Sequence, residues 1–270
     1  MSWLGKVFGG AFGFMLGGPL GAILGSTLGH QFDKGLEGVD DSAFQPGDQH
    51  RVQMAFFTAT FSIMGHIAKA DGTVSREEIA LANAVMKNME LSKQLRQTAQ
   101  RLFNQGKSPD FPLNDVLDQF RRECRRRSTL IRMFVEIQLQ AAFADGTLDS
   151  AEERLLLHIC ERLNFSQFEY QSLKSILQAQ QRFTSSGSDQ YRRTRTTTKS
   201  KVEDAYAVLG LKPSATNKEI KTTYRRLMNQ HHPDKLVAKG LPEEMLKLAT
   251  EKTQKIRKAY EFLREQRRIK

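Results

Sequence analysis

Two acidic stretches recur at matched spacing, "AKADGTVSREEI" (Ala68–Ile79) and "AFADGTLDSAEE" (Ala142–Glu153). Asp71, Glu78, Asp145, Asp149 and Glu152 are carboxylates that could gather round a hard cation, because Ca²⁺ and Mg²⁺ prefer oxygen ligands. Their spacing is not that of an EF-hand, which needs acidic or amide residues at loop positions 3 and 5 as well. Helix punctuation accounts for all five. Each stretch closes a helix, turns at an Asp-Gly and opens another helix. Ser75 with Glu78 makes an S-x-x-E capping box, Asp149 with Glu152 stands at the matching positions, and Ser166 with Glu169 makes a third box. Val74 with Ile79, and Phe165 with Tyr170, are placed to staple the helix starts. The acids are therefore read as caps, with no metal assigned and no cofactor expected. The thiols offer no more chemistry. Cys124 and Cys160 are the only cysteines and form no C-x-x-C, which excludes a cysteine-rich zinc module and a disulfide scaffold and suits a reducing compartment.

The other polar constellation is His232-Pro233-Asp234, and the elements that must position it are legible on either side. Residues 203–209 read as a short helix stopped by Gly210. A second helix starts within 215–217, with Ile220, Tyr224, Leu227 and Met228 on its apolar face. Lys218, Lys221, Arg225 and Arg226 crowd the other side. Pro233 disfavours helical geometry at His232 and so ends that helix. A long third helix, from Glu243 to about Gln266, is expected to bury Met245, Leu248, Ala249, Ile256, Ala259, Tyr260 and Leu263. Two antiparallel helices thus hold an exposed His-Pro-Asp loop at their shared tip.

"DAYAVLGL", "ATNKEIKTTYRRLMNQHHPDK" and "IRKAYEFL" together resemble a J domain. The resemblance implies a regulator of a DnaK-type chaperone, acting on the partner's ATPase without being an enzyme. No phosphate-binding glycine loop is present in this chain. By that resemblance Lys218, Lys221, Arg225 and Arg226 dock on an acidic face of the chaperone, contacts that set encounter rate and weaken with salt. His232, Pro233 and Asp234 then touch it near its interdomain junction, with Lys235 assisting. An ionised Asp234 only accepts hydrogen bonds, so it can pair with a partner arginine.

From about His50 to Phe183 the pattern is helical throughout. Met54, Phe57, Phe61, Met64 and Ala68 recur at threes and fours, as do Leu130, Phe134, Ile137, Ala141 and Ala144. With the paired "ADGT" turns, this stretch resembles the TerB-like domain, an all-helical fold some of whose members are thought to bind metal through such acids. "RRECRRR" (Arg121–Arg127) points all around a helix axis and reads as a solvated helix end or a contact to anionic lipid. No base-reading module or aromatic platform accompanies it, so no specific nucleic acid is expected.

The first thirty residues carry glycine at every fourth position: Gly5, Gly9, Gly13, Gly17, Gly21, Gly25 and Gly29. The run between Lys6 and His30 holds no charge. As one helix, kinked at Pro19, it would reach about 35 Å, enough for a hydrocarbon core of about 30 Å. Lipid enforces helicity despite the glycines. Gly9, Gly13, Gly17, Gly21 and Gly25 would then let a second copy approach closely, giving a homodimer. The lysines and arginines flanking the run give no orientation by the positive-inside rule.

The expected organisation is all-α. It runs as a tail and transmembrane helix (1–35), a juxtamembrane linker (36–49), a TerB-like domain (50–183), a flexible linker "TSSGSDQYRRTRTTTKS" (184–200) and a J domain (201–270). The 270 residues carry a net charge of +11, which favours acidic partners. In this order the chain resembles the membrane-anchored DnaJ-like co-chaperones of Gram-negative bacteria. That resemblance implies a single-pass inner-membrane protein contacting lipid, its N-terminus periplasmic and its bulk in the cytoplasm with the chaperone. It also implies regulatory or envelope-stress-related clients. Gly/Phe-rich and C-x-x-C-x-G-x-G segments are missing, so general capture of unfolded chains is not expected. Two rivals are a TerB-type metal- or stress-binding membrane scaffold with the J domain secondary, and a basic binder of nucleic acid or lipid surfaces.

Overall fold

The computed structural model describes residues 17–32, 48–70, 72, 80, 83, 86–87, 91–143, 148–185 and 198–269. Every regular element among the described residues is helical. They fall into two compact units: Met1–Phe165 with Val237–Lys247, and Ser166–Leu236 with Leu248–Lys270.

The first unit is organised by α2 (Asp48–Ile67), packed by α1 (Gly18–Phe32), α3 (Lys93–Gly106), α4 (Leu113–Glu123), α5 (Ser128–Ala142) and α6 (Ser150–Arg162). The apolar period predicts one buried stripe on α2. Instead residues 52–65 are buried on every side, Thr58, Thr60 and Ser62 included. A helix surrounded by neighbours buries polar residues on more than one side, and the Thr58 and Thr60 hydroxyls are buried with no hydrogen-bond partner. Ser62 Oγ donates to Thr58 O at 2.8 Å, and the buried Gln138 on α5 donates through Nε2 to Thr60 O at 3.0 Å. On α5, Leu130, Phe134 and Ile137 are buried as expected, whereas Ala141 is only half-buried; Ala144 lies outside the described residues.

Two glycines let α2 and α3 touch backbone to backbone. A Cβ on Gly65 would stand 1.9 Å from Phe103 O, and one on Gly106 1.7 Å from Ser62 O. The second capping box is present: Asp149 accepts from Ala151 N at 2.6 Å while Glu152 Oε2 accepts from Asp149 N at 3.2 Å. Ser75 and Glu78, the first box, lie outside the described residues, as do Val74 and Ile79. The segment Val237–Lys247 closes this unit against α2, with Leu241 and Met245 fully buried. Gln49 Nε2 donates to Val237 O at 3.1 Å and Gln53 Nε2 to Leu241 O at 3.4 Å.

Of the N-terminal apolar run, the part from Gly17 onward falls among the described residues. Among the described residues no helix is long and apolar enough to cross a membrane. α1 has 15 residues, about 22 Å of helix against the roughly 30 Å of a hydrocarbon core. Gly17 and Gly18 take φ of +55° and +62°, a left-handed conformation that breaks an α-helix and is open to glycine at low cost. Pro19 therefore lies in the first turn, where its missing N–H is harmless, and not at a kink in the middle. Of the ladder, Gly21, Gly25 and Gly29 lie inside α1 and Gly17 just before it. Gly5, Gly9 and Gly13 lie outside the described residues.

The second unit contains α7 (Gln167–Ser185), α8 (Thr198–Val208), α9 (Asn217–Gln230), most of α10 (Pro233–Ala238) and nearly all of α11 (Leu246–Gln266). The Ser166 and Glu169 box opens α7, with Ser166 N to Glu169 Oε2 at 3.0 Å and Glu169 N to Ser166 Oγ at 3.3 Å. α7 packs along α8 and joins the core of α8, α9 and α11 through Ala179 and Phe183. Most of the expected 184–200 linker lies outside the described residues.

Candidate functional site

The site stands on α9, and its placement begins with that helix's first turn. Thr216 and Glu219 form a capping box, Thr216 N donating to Glu219 Oε2 at 2.7 Å and Glu219 N to Thr216 Oγ1 at 3.2 Å. The backbone N–H and then the hydroxyl of Thr216 hold the Glu219 carboxyl below the usual carboxylate range. Ile220 and Leu227 anchor the inner face of α9, while Tyr224 and Met228 are half-buried at its edge. Tyr224 stacks on Tyr260 of α11 with ring centroids 4.0 Å apart and planes 9° apart. That contact fixes the rotation of α9, and with it which side chains face out. Lys218, Lys221 and Arg225 follow i, i+3, i+7 and share a face. Lys218, Arg225 and Arg226 are exposed, and Lys221 is half-buried.

α9 ends where Pro233 requires. His231 is buried at the turn, and His232 O accepts from Leu236 N at 3.1 Å. The loop expected there is shorter than the sequence suggests, because Pro233 also starts a helix. Its fixed φ suits the first helical position, and α10 runs six residues from it. Leu236, within that turn, is fully buried. His232 and Asp234 are left pointing outward, their side chains 50% and 89% exposed and 3.8 Å apart (Nδ1 to Oδ2). Lys235 Nζ donates to Asn229 Oδ1, tying the turn back to α9. The arrangement offers a rigidly held acceptor, an imidazole and a cationic flank to a partner surface, with no nucleophile and base brought together.

Two supports were missed by sequence reasoning. Arg267, beyond the end of α11, donates through Nη1 to Ala215 O at 2.6 Å and Asn217 Oδ1 at 3.2 Å, and through Nη2 to Pro213 O at 3.1 Å. Its guanidinium lies 5.4 Å from the centre of the Tyr206 ring. One arginine thereby clamps the start of α9, a contact between distant parts of the chain that no local pattern announces. The other is α7. Arg182 Nε donates to the nearly buried Asp204 at 2.9 Å, and Phe183 meets Phe262 edge-to-face at 5.8 Å.

The acidic candidates behave as caps where they can be described. Asp149 is exposed, and backbone N–H groups, that of Ala151 foremost, hold its carboxyl below the usual range. Glu152 completes the box. Asp71, Glu78 and Asp145 lie outside the described residues, and among the described residues no three His, Cys, Asp or Glu gather as a metal site. Of "RRECRRR", Arg121, Arg122, Arg125 and Arg126 are exposed while Cys124 is fully buried. Burial pushes the Cys124 thiol up to about 12.

A helical pair with a cationic face, tipped by His-Pro-Asp and closed by a third helix, defines a J-domain protein. Comparison with known families agrees: residues 204–270 match the DnaJ domain, residues 57–175 match the tellurite resistance protein TerB family, and residues 1–39 match the co-chaperone DjlA transmembrane domain. Co-chaperone protein DjlA of Coxiella burnetii is 45% identical over 99% of both chains. Those of Photobacterium profundum and Vibrio cholerae are each 42% identical, over 98% and 100% of this chain and 99% and 100% of their own. No solved structure matches the chain. The chain belongs to the DjlA family of co-chaperones.

Proposed function

We propose that this chain is a membrane-anchored co-chaperone that binds a DnaK-type chaperone through its J domain and stimulates the partner's ATP hydrolysis. The observation that carries the reading is the tip itself: His232 and Asp234 exposed on a turn that Pro233, Leu236 and Lys235 hold rigid, beside the Lys218, Lys221 and Arg225 face. The cationic face steers encounter, with Arg226 at its margin. Asp234, as an ionised acceptor, meets an arginine of the chaperone. His232 and Pro233 set where that carboxylate stands. ATP is bound and cleaved by the partner, and this chain is not an enzyme.

The N-terminal segment supplies the anchor, placing the bulk of the chain in the cytoplasm, where DnaK and ATP are, and the first residues in the periplasm. In lipid the glycine ladder, Gly9 to Gly25, brings two copies together and presents two J domains at the inner membrane. Clients are regulatory or envelope-stress-related proteins gathered at that surface.

Single-turnover ATP hydrolysis by a DnaK-type chaperone, with the full chain in nanodiscs and its His232→Gln variant beside it, tests the central claim. Stimulation by the parent that vanishes in the variant is expected. Equal stimulation by both would overturn the assignment of the tip. For the pairing, a Gly17→Leu/Gly21→Leu variant that stays as dimeric as the parent in detergent would remove the glycine ladder from the interface.

A further inference from the structure

In the first unit, α1 is seated on α2, α3 and α4 of the TerB-like domain. Leu20 and Leu24 are fully buried and Ile23 nearly so. Gln119, on α4 and only 3% exposed, spends its carboxamide on the start of this helix. Its Oε1 accepts from Leu20 N at 2.8 Å and its Nε2 donates to Gly17 O at 2.8 Å. A helix start carries N–H groups with no partner in the helix, and here a buried side chain from a distant part of the chain satisfies one of them. The fit selects glycine, since a Cβ on Gly18 would lie 2.9 Å from Gln119 Oε1. At the next turns, Gln105 Nε2 on α3 donates to Ser26 Oγ. Ser26 in turn donates to Ile23 O at 3.0 Å. This is a formed seat with an apolar floor and a polar end stop.

The same residues fall within the segment matched to a transmembrane domain. A helix in lipid cannot use Gln119, and its backbone must close its own hydrogen bonds there. It would have to extend back through Gly17, whose left-handed turn belongs to the seated form. The seated and inserted forms therefore exclude each other. We infer that the groove between α2, α3 and α4 is a receptor for the chain's own N-terminal helix, which partitions between this seat and the bilayer. The occupant is Gly18–Phe32, and the bilayer is its competitor. The TerB-like domain thereby holds the anchor in a shielded form before insertion, and insertion vacates the groove. This rests on the reading that the segment enters lipid.

Ser26→Cys with Gln105→Cys in the full chain tests the idea, because the two side chains touch only in the seated form. The natural Cys124 and Cys160 are buried and stay out of the reaction. The chain is diluted from detergent into buffer, with or without vesicles of phosphatidylethanolamine and phosphatidylglycerol, then oxidised and floated on a density gradient. The disulfide should form without vesicles. It should form at least tenfold more slowly with them, and cross-linked chains should not float. No disulfide without vesicles would remove the seat. Floating chains that carry the disulfide would overturn the inference while leaving the anchor intact. A chain that never floats, cross-linked or not, would sink the anchor reading and the inference with it. Gly18→Ala, which needs no new cysteine, should float at several-fold lower lipid than the parent, and an unchanged lipid requirement would count against the cap.

Discussion

Gly106→Ala should loosen the first unit by an amount the structure lets one estimate. The added Cβ would stand 1.7 Å from Ser62 O and 2.7 Å from Ser62 C. Both are backbone atoms, so no rotamer change relieves the overlap, and the two helices must move apart by more than an ångström to make room. A gap of 0.5–1 Å already forfeits about a quarter to a half of a dispersion contact. Overpacking of this kind costs about 1–3 kcal/mol, occasionally more. His66 Nδ1 also donates to Gly106 O at 3.0 Å, a bond worth about 1 kcal/mol that the shift would stretch. Replacing glycine in a helix returns at most about 1 kcal/mol, and less at the last residue of α3. The net loss should be about 3 kcal/mol, which at about 1.36 kcal/mol per decade is roughly a hundredfold. Hydrogen exchange read by mass spectrometry on peptides from α2 and α3 would show that fall in protection, while peptides from α9 and α11 hold theirs. Gly65→Ala acts on the same crossing, so the double variant should lose less than the sum of the singles. A Gly106→Ala chain with α2 protection within threefold of the parent would refute the reasoning.

Three further expectations follow from the same contacts. Phe183→Ala removes a half-buried ring and its edge-to-face contact with Phe262. It should destabilise the J-domain unit by about 2 kcal/mol, below the roughly 3–5 kcal/mol of a fully buried phenylalanine, as read by exchange in α8 and α11. Thr216→Ala removes half of a capping box and should cost about 1 kcal/mol, seen as faster exchange confined to the first turns of α9. His66 is held below its ordinary value by burial, its hydrogen bond to Gly106 O opposing in part. The unfolded chain therefore binds that proton more readily than the folded one. This stability is present above the ordinary histidine value of about 6.5 and lost as pH falls toward the folded value. Protection of α2 should drop between pH 7 and pH 5, and His66→Asn should flatten the slope.

Local rules carried the reading wherever the cause was local. Pro233, the Asp149 and Ser166 boxes and the Gly210 stop sit where the sequence places them, because each acts within its own turn. His-Pro-Asp was legible as a tip for the same reason, the turn being written in the residues that make it. What the periodicities did not reveal is where long-range packing decides. Met54, Phe57, Phe61, Met64 and Ala68 read as one apolar stripe, yet α2 is enclosed and buries Thr58, Thr60 and Ser62 as well. Pro233 reads as a break, and only the buried Leu236 shows that it also begins α10. The glycine run reads as one long helix. Gly17 and Gly18 take a left-handed turn at the start of α1, and the partner that meets that turn is Gln119, on a helix far along the chain. Arg267 is an ordinary charge near a chain end until the start of α9 is seen beneath it.

The first unit is discontinuous: it runs to Phe165 and resumes at Val237, with the greater part of the other unit in between. On a ribosome that order has a cost in time. At roughly 5–20 residues per second the missing piece arrives about 4–14 s after the rest of its unit. Until Leu241 and Met245 emerge, the part of α2 they will cover stands open near Val52 and Gln53. The unit begun first is thus completed only shortly before the other, and a chain stalled before residue 237 would display an unfinished core to whatever waits at the exit tunnel.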